Sequence, residues 1–158
     1  MSRCLRMKNN RTLTYTVPPE LVSLLEKAAE FHGHLGPFLA IGVRLGLVGL
    51  KKINQQKNGP LTIDVSLPLH VPFSCIIDGL QVTTQCTVGN QKLSLKDSDS
   101  IQARFKRENG RLEVTVALDK SMFEEMKSKL LGEAKPEEIR RLAWVIASIS
   151  EDELFEIF

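Results

Sequence analysis

The chain has few of the residues that most often carry chemistry: three histidines, three cysteines and one tryptophan among 158 residues. It also lacks a long hydrophobic run, because its most apolar stretch, residues 35–50, contains Arg44 and four glycines. That stretch falls short of the roughly 18 to 20 apolar residues of a membrane-spanning helix. The net charge of +2 is too small to indicate nucleic acid or an anionic membrane as a partner. We therefore predict a globular protein that binds neither.

The cysteine count and the N-terminus indicate a cytoplasmic protein. Cys4, Cys75 and Cys86 are an odd number of cysteines, and no apolar segment follows the basic N-terminal residues as it would in a secretory signal. Reduced thiols are therefore expected rather than a disulfide framework. The length suits one domain, residues 1–158, in which residues 1–15 are predicted to form a loosely ordered tail.

The order of the predicted elements indicates an α+β fold, with a mixed or antiparallel sheet packed against helices in a single domain. Hydrophobic periodicity, prolines and turn residues predict these elements in chain order: a helix over 19–31, a helix over 37–53, a strand over 61–67, a helix capped by Ser74, a polar loop or hairpin over 87–100, a hairpin over 101–118 about Asn109-Gly110, a helix begun by a Ser121–Glu124 capping box, a helix from Pro136, and a last turn over 151–158.

The second helix carries Gly42, Gly46 and Gly49 on one face. Each glycine costs about 1 kcal/mol relative to alanine in a helix interior, so close packing should compensate. We predict close approach to another helix or to the sheet, and a dimer seam is the alternative use of this face.

The segment FHGHLGP, residues 31–37, holds two of the three histidines. Side chains two residues apart diverge by about 200° in a helix, whereas in a turn both can point the same way. Gly33 and Gly36-Pro37 favour a turn. His32 and His34 are therefore candidate metal ligands or catalytic groups, and helix capping is the alternative.

The predicted third helix carries a polar stripe of Cys75, Asp78 and Gln81. Cys75 follows the helix start, where the dipole and free N–H groups stabilise a thiolate, so it is a candidate ligand or reactive thiol. The alternative makes Cys75 a small core residue and leaves Asp78 solvated. Cys86 lies about 16 Å further along a continuous helix, so we assign it to the following loop and to no shared site.

Two segments carry a family resemblance. The first, residues 31–46, reads FHGHLGPFLAIGVRLG and resembles the histidine turn of the formylmethanofuran dehydrogenase E-subunit family. The second, residues 75–93, reads CIIDGLQVTTQCTVGNQKL and is similar to that family's second signature, Cys…Asp-Gly/Ala-x-Gln…Cys-Thr-x-Gly. Two separated motifs in the same order are more specific than either motif alone, and the resemblance covers the core to about residue 118.

The resemblance implies an α+β core that dimerises and an association with methanogenic one-carbon metabolism. It also implies a metal or catalytic centre at His32, His34 and Cys75, with Asp78 and Gln81 beside them. Many members have Cys-Pro after the second histidine, where this chain has Gly36-Pro37. Some members carry a cysteine-rich zinc module after the core, but no cysteine follows Cys86 here, so only the core domain is implied.

Two functions follow as hypotheses. The first is a metal- or thiol-dependent enzyme, or an accessory subunit of a larger dehydrogenase complex, in one-carbon or redox metabolism. A divalent transition metal such as zinc would be bound by His32, His34 and Cys75, with Asp78 as base or orienting group. The second is a non-catalytic homodimeric binding or assembly module. No nucleotide cofactor is expected, because no P-loop or dinucleotide fingerprint is present. A small anion at the Thr87–Asn90 loop with Lys92 is a weaker third interpretation.

Overall fold

The structure, a computed structural model, describes residues 16–54, 59–107 and 111–158. The predicted tail, Cys4, and the Asn-Gly turn at 109–110 lie outside these ranges. Six helices occur within them: α1 (Pro19–His32), α2 (Pro37–Ile53), α3 (Cys75–Thr84), α4 (Lys120–Leu130), α5 (Pro136–Ser148) and α6 (Glu151–Leu154). Among the described residues, no helix combines the length and apolar character needed to cross a bilayer.

The strands form one five-stranded sheet in the order β2-β1-β3-β4-β5. Their bounds are β1 (Thr62–Leu67), β2 (Leu93–Asp97), β3 (Gln102–Arg107), β4 (Leu112–Leu118) and β5 (Phe155–Ile157). β1 and β2 are parallel, and the other three pairs are antiparallel. The predicted α+β class with a mixed sheet is therefore confirmed.

Helix α2 is the centre of the fold. It contacts α1, α3 and α5 on its sides and strands β3 and β4 on the sheet. Nearly all of its residues are buried, from Pro37 to Gly49 with Leu47 as an exposed exception. A helix that is apolar all round is expected at such a position, since no face remains for solvent.

The glycine face of α2 packs inside the protomer. A Cβ at Gly42 would overlap the carbonyl oxygen of Ile76 in α3, and a Cβ at Gly79 would overlap the backbone of α2. Gly49 leaves room for the ring of Phe105 in β3, and Gly46 faces Thr83 in α3. The prediction of close packing is confirmed. The alternative use of this face as a dimer seam is wrong, because α3 and the sheet already cover it.

Some predictions of secondary structure and helix capping fail where tertiary contacts determine the local conformation. Residues 93–97, predicted as loop or hairpin, form the parallel edge strand β2 beside β1. The cap of helix α4 is Asp119, two residues before the predicted Ser121 cap, because the Asp119 side chain accepts the Met122 N–H at 2.9 Å. Ser74 precedes α3 as predicted but makes no side-chain capping hydrogen bond.

Candidate functional site

The two histidines lie at the junction of α1 and α2. His32 is the last residue of α1, and Gly33 ends the helix in the left-handed conformation with φ of 103°. Glycine adopts this conformation without the Cβ strain of other residues. After His34, Gly36 and Pro37 begin α2. The turn brings the two imidazole rings together, with centroids 4.8 Å apart and planes at 42°.

The close crossing of α2 and α3 places Asp78 against His32. The Oδ2 atom of Asp78 lies 2.6 Å from Nδ1 of His32. Because a carboxylate only accepts hydrogen bonds, Nδ1 carries the proton and donates it to Asp78. The His32 side chain is 13% exposed and that of Asp78 is 32% exposed, so water screens this charge-assisted bond only in part.

The other ring nitrogen of His32 has no partner among the described residues. In the neutral imidazole, a proton on Nδ1 leaves the lone pair on Nε2, and this atom is buried without a hydrogen bond. A buried acceptor left unpaired costs about 1 to 3 kcal/mol. Most buried polar atoms in folded proteins are paired, so an orphaned lone pair that is held in place by a carboxylate indicates a binding position.

His34 and Cys75 line one cavity of about 290 Å³. His34 comes from the α1–α2 turn and Cys75 from the first residue of α3, so two distant segments converge there. The far wall comes from the segment before α3 and from the α4–α5 connection. The other lining residues are mainly apolar: Gly36, Pro37, Phe38, Leu39, Val71, Pro72, Leu130, Gly132, Ala134 and Ile139.

Desolvation favours the uncharged forms of both polar groups of the cavity, although His34 is an exposed residue and Cys75 is half-buried. It lowers the pKa of the His34 imidazole, and a positive charge on the neighbouring His32 would lower it further. Burial also raises the pKa of the Cys75 thiol, and the Asp78 carboxylate adds to this, against a smaller opposing effect of a backbone hydrogen bond. Desolvation and Asp78 therefore act against a thiolate at Cys75, and its role as an activated thiol stays a prediction.

Gln81 and Cys86 lie in different surroundings. The amide Nε2 of Gln81 is 3.4 Å from Oδ1 of Asp78, so Gln81 joins the histidine–aspartate pair from the next turn of α3. Cys86 is 2% exposed, and its Sγ lies 3.5 Å from the carbonyl oxygen of Leu61. It does not line the cavity and packs below β1 instead. The two described cysteines are both unpaired.

The predicted three-ligand metal set is not assembled. In the described ranges, no group of three or more His, Cys, Asp or Glu side chains could hold a metal ion. His32 and His34 are neighbours, but the sulfur of Cys75 does not complete a ligand group with them. The present arrangement therefore does not fit a closed metal site of the structural kind, which needs four ligands.

The far wall of the cavity is what sequence reasoning missed. Val71, Leu130, Ala134 and Ile139 carry no motif, and their positions depend on how the C-terminal helices dock. The one local signal was the apolar stripe of α5, which includes Ile139. That stripe predicts burial but does not reveal which side chains the buried face meets.

Most N–H groups of the Thr87–Asn90 turn already have partners within the protein. Thr87 N–H donates to Asn90 Oδ1 at 2.9 Å, and Asn90 N–H to Thr87 Oγ1 at 3.0 Å. The Val88 N–H donates to Gln81 Oε1 at 3.1 Å. With these three donors occupied, the loop has few free N–H groups for an anion, and the anion site stays the weaker interpretation.

A larger cavity of about 610 Å³ lies between α1, α2 and the α5–α6 junction. Its charged lining residues include Arg44 and Glu151. Nη1 of Arg44 donates to the carbonyl oxygens of Ile146, at 2.9 Å, and Ile149. Glu151 lies 3.4 Å from Nζ of Lys51. Arg44 and Glu151 thus have partners within the fold, and no histidine or cysteine is among the described lining residues. The smaller cavity with its converging His34 and Cys75 is therefore the stronger candidate.

Comparison with known proteins gives concordant results. Residues 31–158 match the FmdE family, described as "FmdE, Molybdenum formylmethanofuran dehydrogenase operon". A solved structure of a tungsten formylmethanofuran dehydrogenase FmdE-like protein from Syntrophus aciditrophicus is similar in fold, with a TM-score of 0.61 and 21% identity. That similarity covers 96% of this chain and 76% of the other.

A curated relative shares part of the sequence. A protein of Archaeoglobus fulgidus, described as a probable S-adenosyl-L-methionine-binding protein, is 37% identical over 79 residues. The match spans 49% of this chain but 22% of the relative, so the chain corresponds to about a fifth of that protein's length. The family match, by contrast, extends over most of the chain and includes both motifs. On this evidence, the chain belongs to the FmdE family.

Proposed function

We propose that the His34–Cys75 cavity binds a small uncharged molecule, as part of an enzyme or an accessory subunit in one-carbon or redox metabolism. The observation that carries this proposal is the convergence of His34 and Cys75 on one cavity of about 290 Å³. Ligand pockets are typically apolar with a few convergent polar groups, and this cavity has that composition at the small end of the usual size range.

The lining selects against charged ligands. Apart from His34 and Cys75, the described lining residues are apolar or glycine. The lowered pKa of His34 and the raised pKa of Cys75 favour the uncharged form of both groups, so the cavity offers little charge to offset the desolvation of an ion. A neutral carbonyl or hydroxyl compound, by contrast, can accept a hydrogen bond from the thiol or donate one to the imidazole.

The test compares a neutral ligand with a charged one of similar size. We expect N-methylformamide to shift the backbone NMR resonances of His34 and Cys75, because it fits the cavity and pairs with both groups. Acetate should leave them in place. In the Ala134→Phe variant, whose ring would fill the cavity, the shifts caused by N-methylformamide should disappear. Equal shifts with acetate, or shifts that persist in Ala134→Phe, would contradict the proposal.

Metal binding is a second candidate, favoured by the buried and unpaired Nε2 of His32. A histidine that donates its other nitrogen to a carboxylate is the usual arrangement of a metal-ligating imidazole. A divalent transition metal such as zinc would be held by His32, His34 and Cys75, with Asp78 orienting His32. Binding would require the Cys75 thiol to lose its proton and to join the histidines.

Elemental analysis of protein purified without added metal tests this candidate. This candidate requires close to one equivalent of a transition metal in the parent protein and in the His70→Ala control, whose histidine is exposed and lies outside the cavity. The His34→Ala variant should lose the metal and remain folded. Less than about a tenth of an equivalent in the parent protein would exclude the metal-dependent form of the function.

Partners are also proposed from the family. The family name associates its members with a formylmethanofuran dehydrogenase operon, which supports a larger dehydrogenase complex as a partner. We also propose a homodimer, formed by a face other than the buried glycine face of α2. A homodimer that fails both ligand tests would favour the non-catalytic assembly module. A monomer in sedimentation at high micromolar concentration would contradict the dimer.

The name of the Archaeoglobus relative supplies a further probe. Our prediction that the chain binds no nucleotide cofactor would be overturned if S-adenosyl-L-methionine, titrated into the protein, shifted the resonances of the cavity residues. Adenosine alone serves as the matched control, because it separates recognition of the methionine portion from stacking of the base.

A further inference from the structure

We infer that Gln81 is a positioning residue, which fixes Asp78 and, through it, the ring of His32 to the Thr87–Asn90 turn. This inference rests on the proposed function for its purpose, but it depends on hydrogen bonds that need no ligand. Both oxygens of Asp78 are engaged: Oδ2 by His32 at 2.6 Å and Oδ1 by Gln81 at 3.4 Å. The carboxylate is therefore held at two points.

The hydrogen-bond partners of Gln81 determine which way its amide faces. The Val88 backbone N–H can only donate, so it selects the amide oxygen, Oε1, at 3.1 Å. The amide nitrogen is then directed at Asp78, whose carboxylate can only accept. No other side chain of this length supplies an acceptor for one neighbour and a neutral donor for the other. Glutamate would present an oxygen to both, and a second carboxylate would repel Asp78.

The turn that orients Gln81 is itself fixed. Asn90 Oδ1 accepts from the N–H groups of Thr87 and Lys92, at 2.9 and 3.1 Å, and Asn90 Nδ2 donates to the carbonyl oxygen of Gln85 at 2.8 Å. Asn90 thus ties the turn to the end of α3. These hydrogen bonds hold the Val88 N–H in position independently of its hydrogen bond to Gln81.

The connection matters because Asp78 is not enclosed. Its side chain is 32% exposed, so water competes for its oxygens and the carboxylate is free to rotate unless a second group holds it. Gln81 is half-buried and supplies that group. With the carboxylate fixed, the proton of His32 stays on Nδ1, and the lone pair stays on the buried Nε2.

The test is the proton position on His32, read from its ring ¹⁵N resonances at neutral pH in protein kept metal-free with a chelator. In the parent protein we expect the Nδ1–H form. In Gln81→Glu and Gln81→Leu, the ratio should shift toward Nε2–H by about two- to tenfold, the range expected from loss of one hydrogen bond. Asp78→Asn should shift it further, which shows that the probe responds.

Two further variants separate the network from general damage. Gln91→Glu makes the same chemical change at an exposed position of the same loop and should leave His32 as in the parent. Asn90→Ala should shift the ratio in the same direction as Gln81→Leu, by a smaller amount. An unchanged His32 in both Gln81 variants would overturn the inference, as would a shift in Gln91→Glu equal to that in Gln81→Glu. Because no ligand is added, failure of the ligand tests above would not affect this result.

Discussion

Arg44, which is buried, and His32, which is partly buried, differ in how fully their nitrogen atoms are hydrogen-bonded. Arg44 is 9% exposed, and its Nη1 donates to the carbonyl oxygens of Ile146 and Ile149 at the end of α5. Burial lowers the pKa of its guanidinium, and the Glu151 carboxylate partly opposes this. His32 has one nitrogen paired with Asp78 and the other unpaired.

The difference separates a structural role from a binding role. Arg44 supplies donors to carbonyl groups that have no partner within α5, as basic side chains often do at helix C-termini. The fold therefore accounts for its burial. In His32, by contrast, the ring atom Nε2 makes no hydrogen bond that would stabilise the fold. A buried polar atom that lacks a hydrogen bond destabilises the fold, so such an atom is a candidate for a role in binding.

The largest effect is expected from Arg44→Met. The variant keeps an apolar stem but leaves the carbonyl oxygens of Ile146 and Ile149 without their donor. Unpaired buried groups cost about 1 to 3 kcal/mol each, so we expect unfolding free energy to fall by about 3 kcal/mol in urea titrations. A loss below about 0.5 kcal/mol would show that Arg44 is not structural, since surface substitutions have effects of that size.

An intermediate effect is expected at Asp119, a cap at the start of α4. The Ser121 hydroxyl lowers the pKa of this carboxyl most, and the Met122 N–H contributes in the same direction. Asp119→Ala should cost about 1 kcal/mol at pH 7. Because the pKa is lowered on folding, the charged form stabilises the fold above the unfolded-state pKa of about 3.9, and this part is lost as the pH falls through the folded-state value.

Urea titrations of the parent protein and Asp119→Ala between pH 7 and pH 2.5 check this dependence. The difference in unfolding free energy should shrink in the acidic part of that range. Asp119→Asn, which retains a capping oxygen but does not titrate, should keep most of the stability of the parent at pH 7. A difference in unfolding free energy that grows toward low pH would contradict the prediction.

The smallest effect on stability is expected from His32→Leu. The variant loses the hydrogen bond to Asp78, worth about 1.5 to 3 kcal/mol, but also removes the unpaired Nε2, a cost of about 1 to 3 kcal/mol. The two terms nearly offset, so unfolding free energy should change by less than about 1 kcal/mol. His70→Leu serves as the exposed control. A loss of unfolding free energy near that of Arg44→Met would show that His32 has a structural role like that of Arg44, and would contradict the difference between the two residues.

Much of the fold was predictable because its helices are marked locally. Pro19 and Pro37 begin α1 and α2 as predicted, and Pro136 begins α5. The alternating strand over 61–67 and the hairpin strands β3 and β4 also match. The parallel strand β2 was missed although Leu93 and Leu95 alternate with Ser94 and Lys96. The run is short and lies in polar surroundings, and Leu93 is its one buried residue.

The candidate site was predictable in part. The order of residues in two motifs indicated that His32, His34, Cys75 and Asp78 matter, and the structure joins His32 to Asp78 and places His34 with Cys75. The direction in which the pKa of Cys75 shifts was not predictable, because it depends on desolvation by distant segments and on the position of Asp78. The position of Cys75 at the helix start, taken alone, predicts a lowered pKa.

The crossing at Gly42 and Gly79 has a consequence for how this pocket can be altered. The backbones of α2 and α3 touch there without intervening side chains. The spacing between the α1–α2 turn and the start of α3 is therefore set by backbone atoms. Replacing residues of the pocket wall, such as Val71 or Leu130, should reshape the ligand volume while that spacing stays constant. The chain therefore offers a polar edge of fixed spacing beside a wall whose side chains can be redesigned.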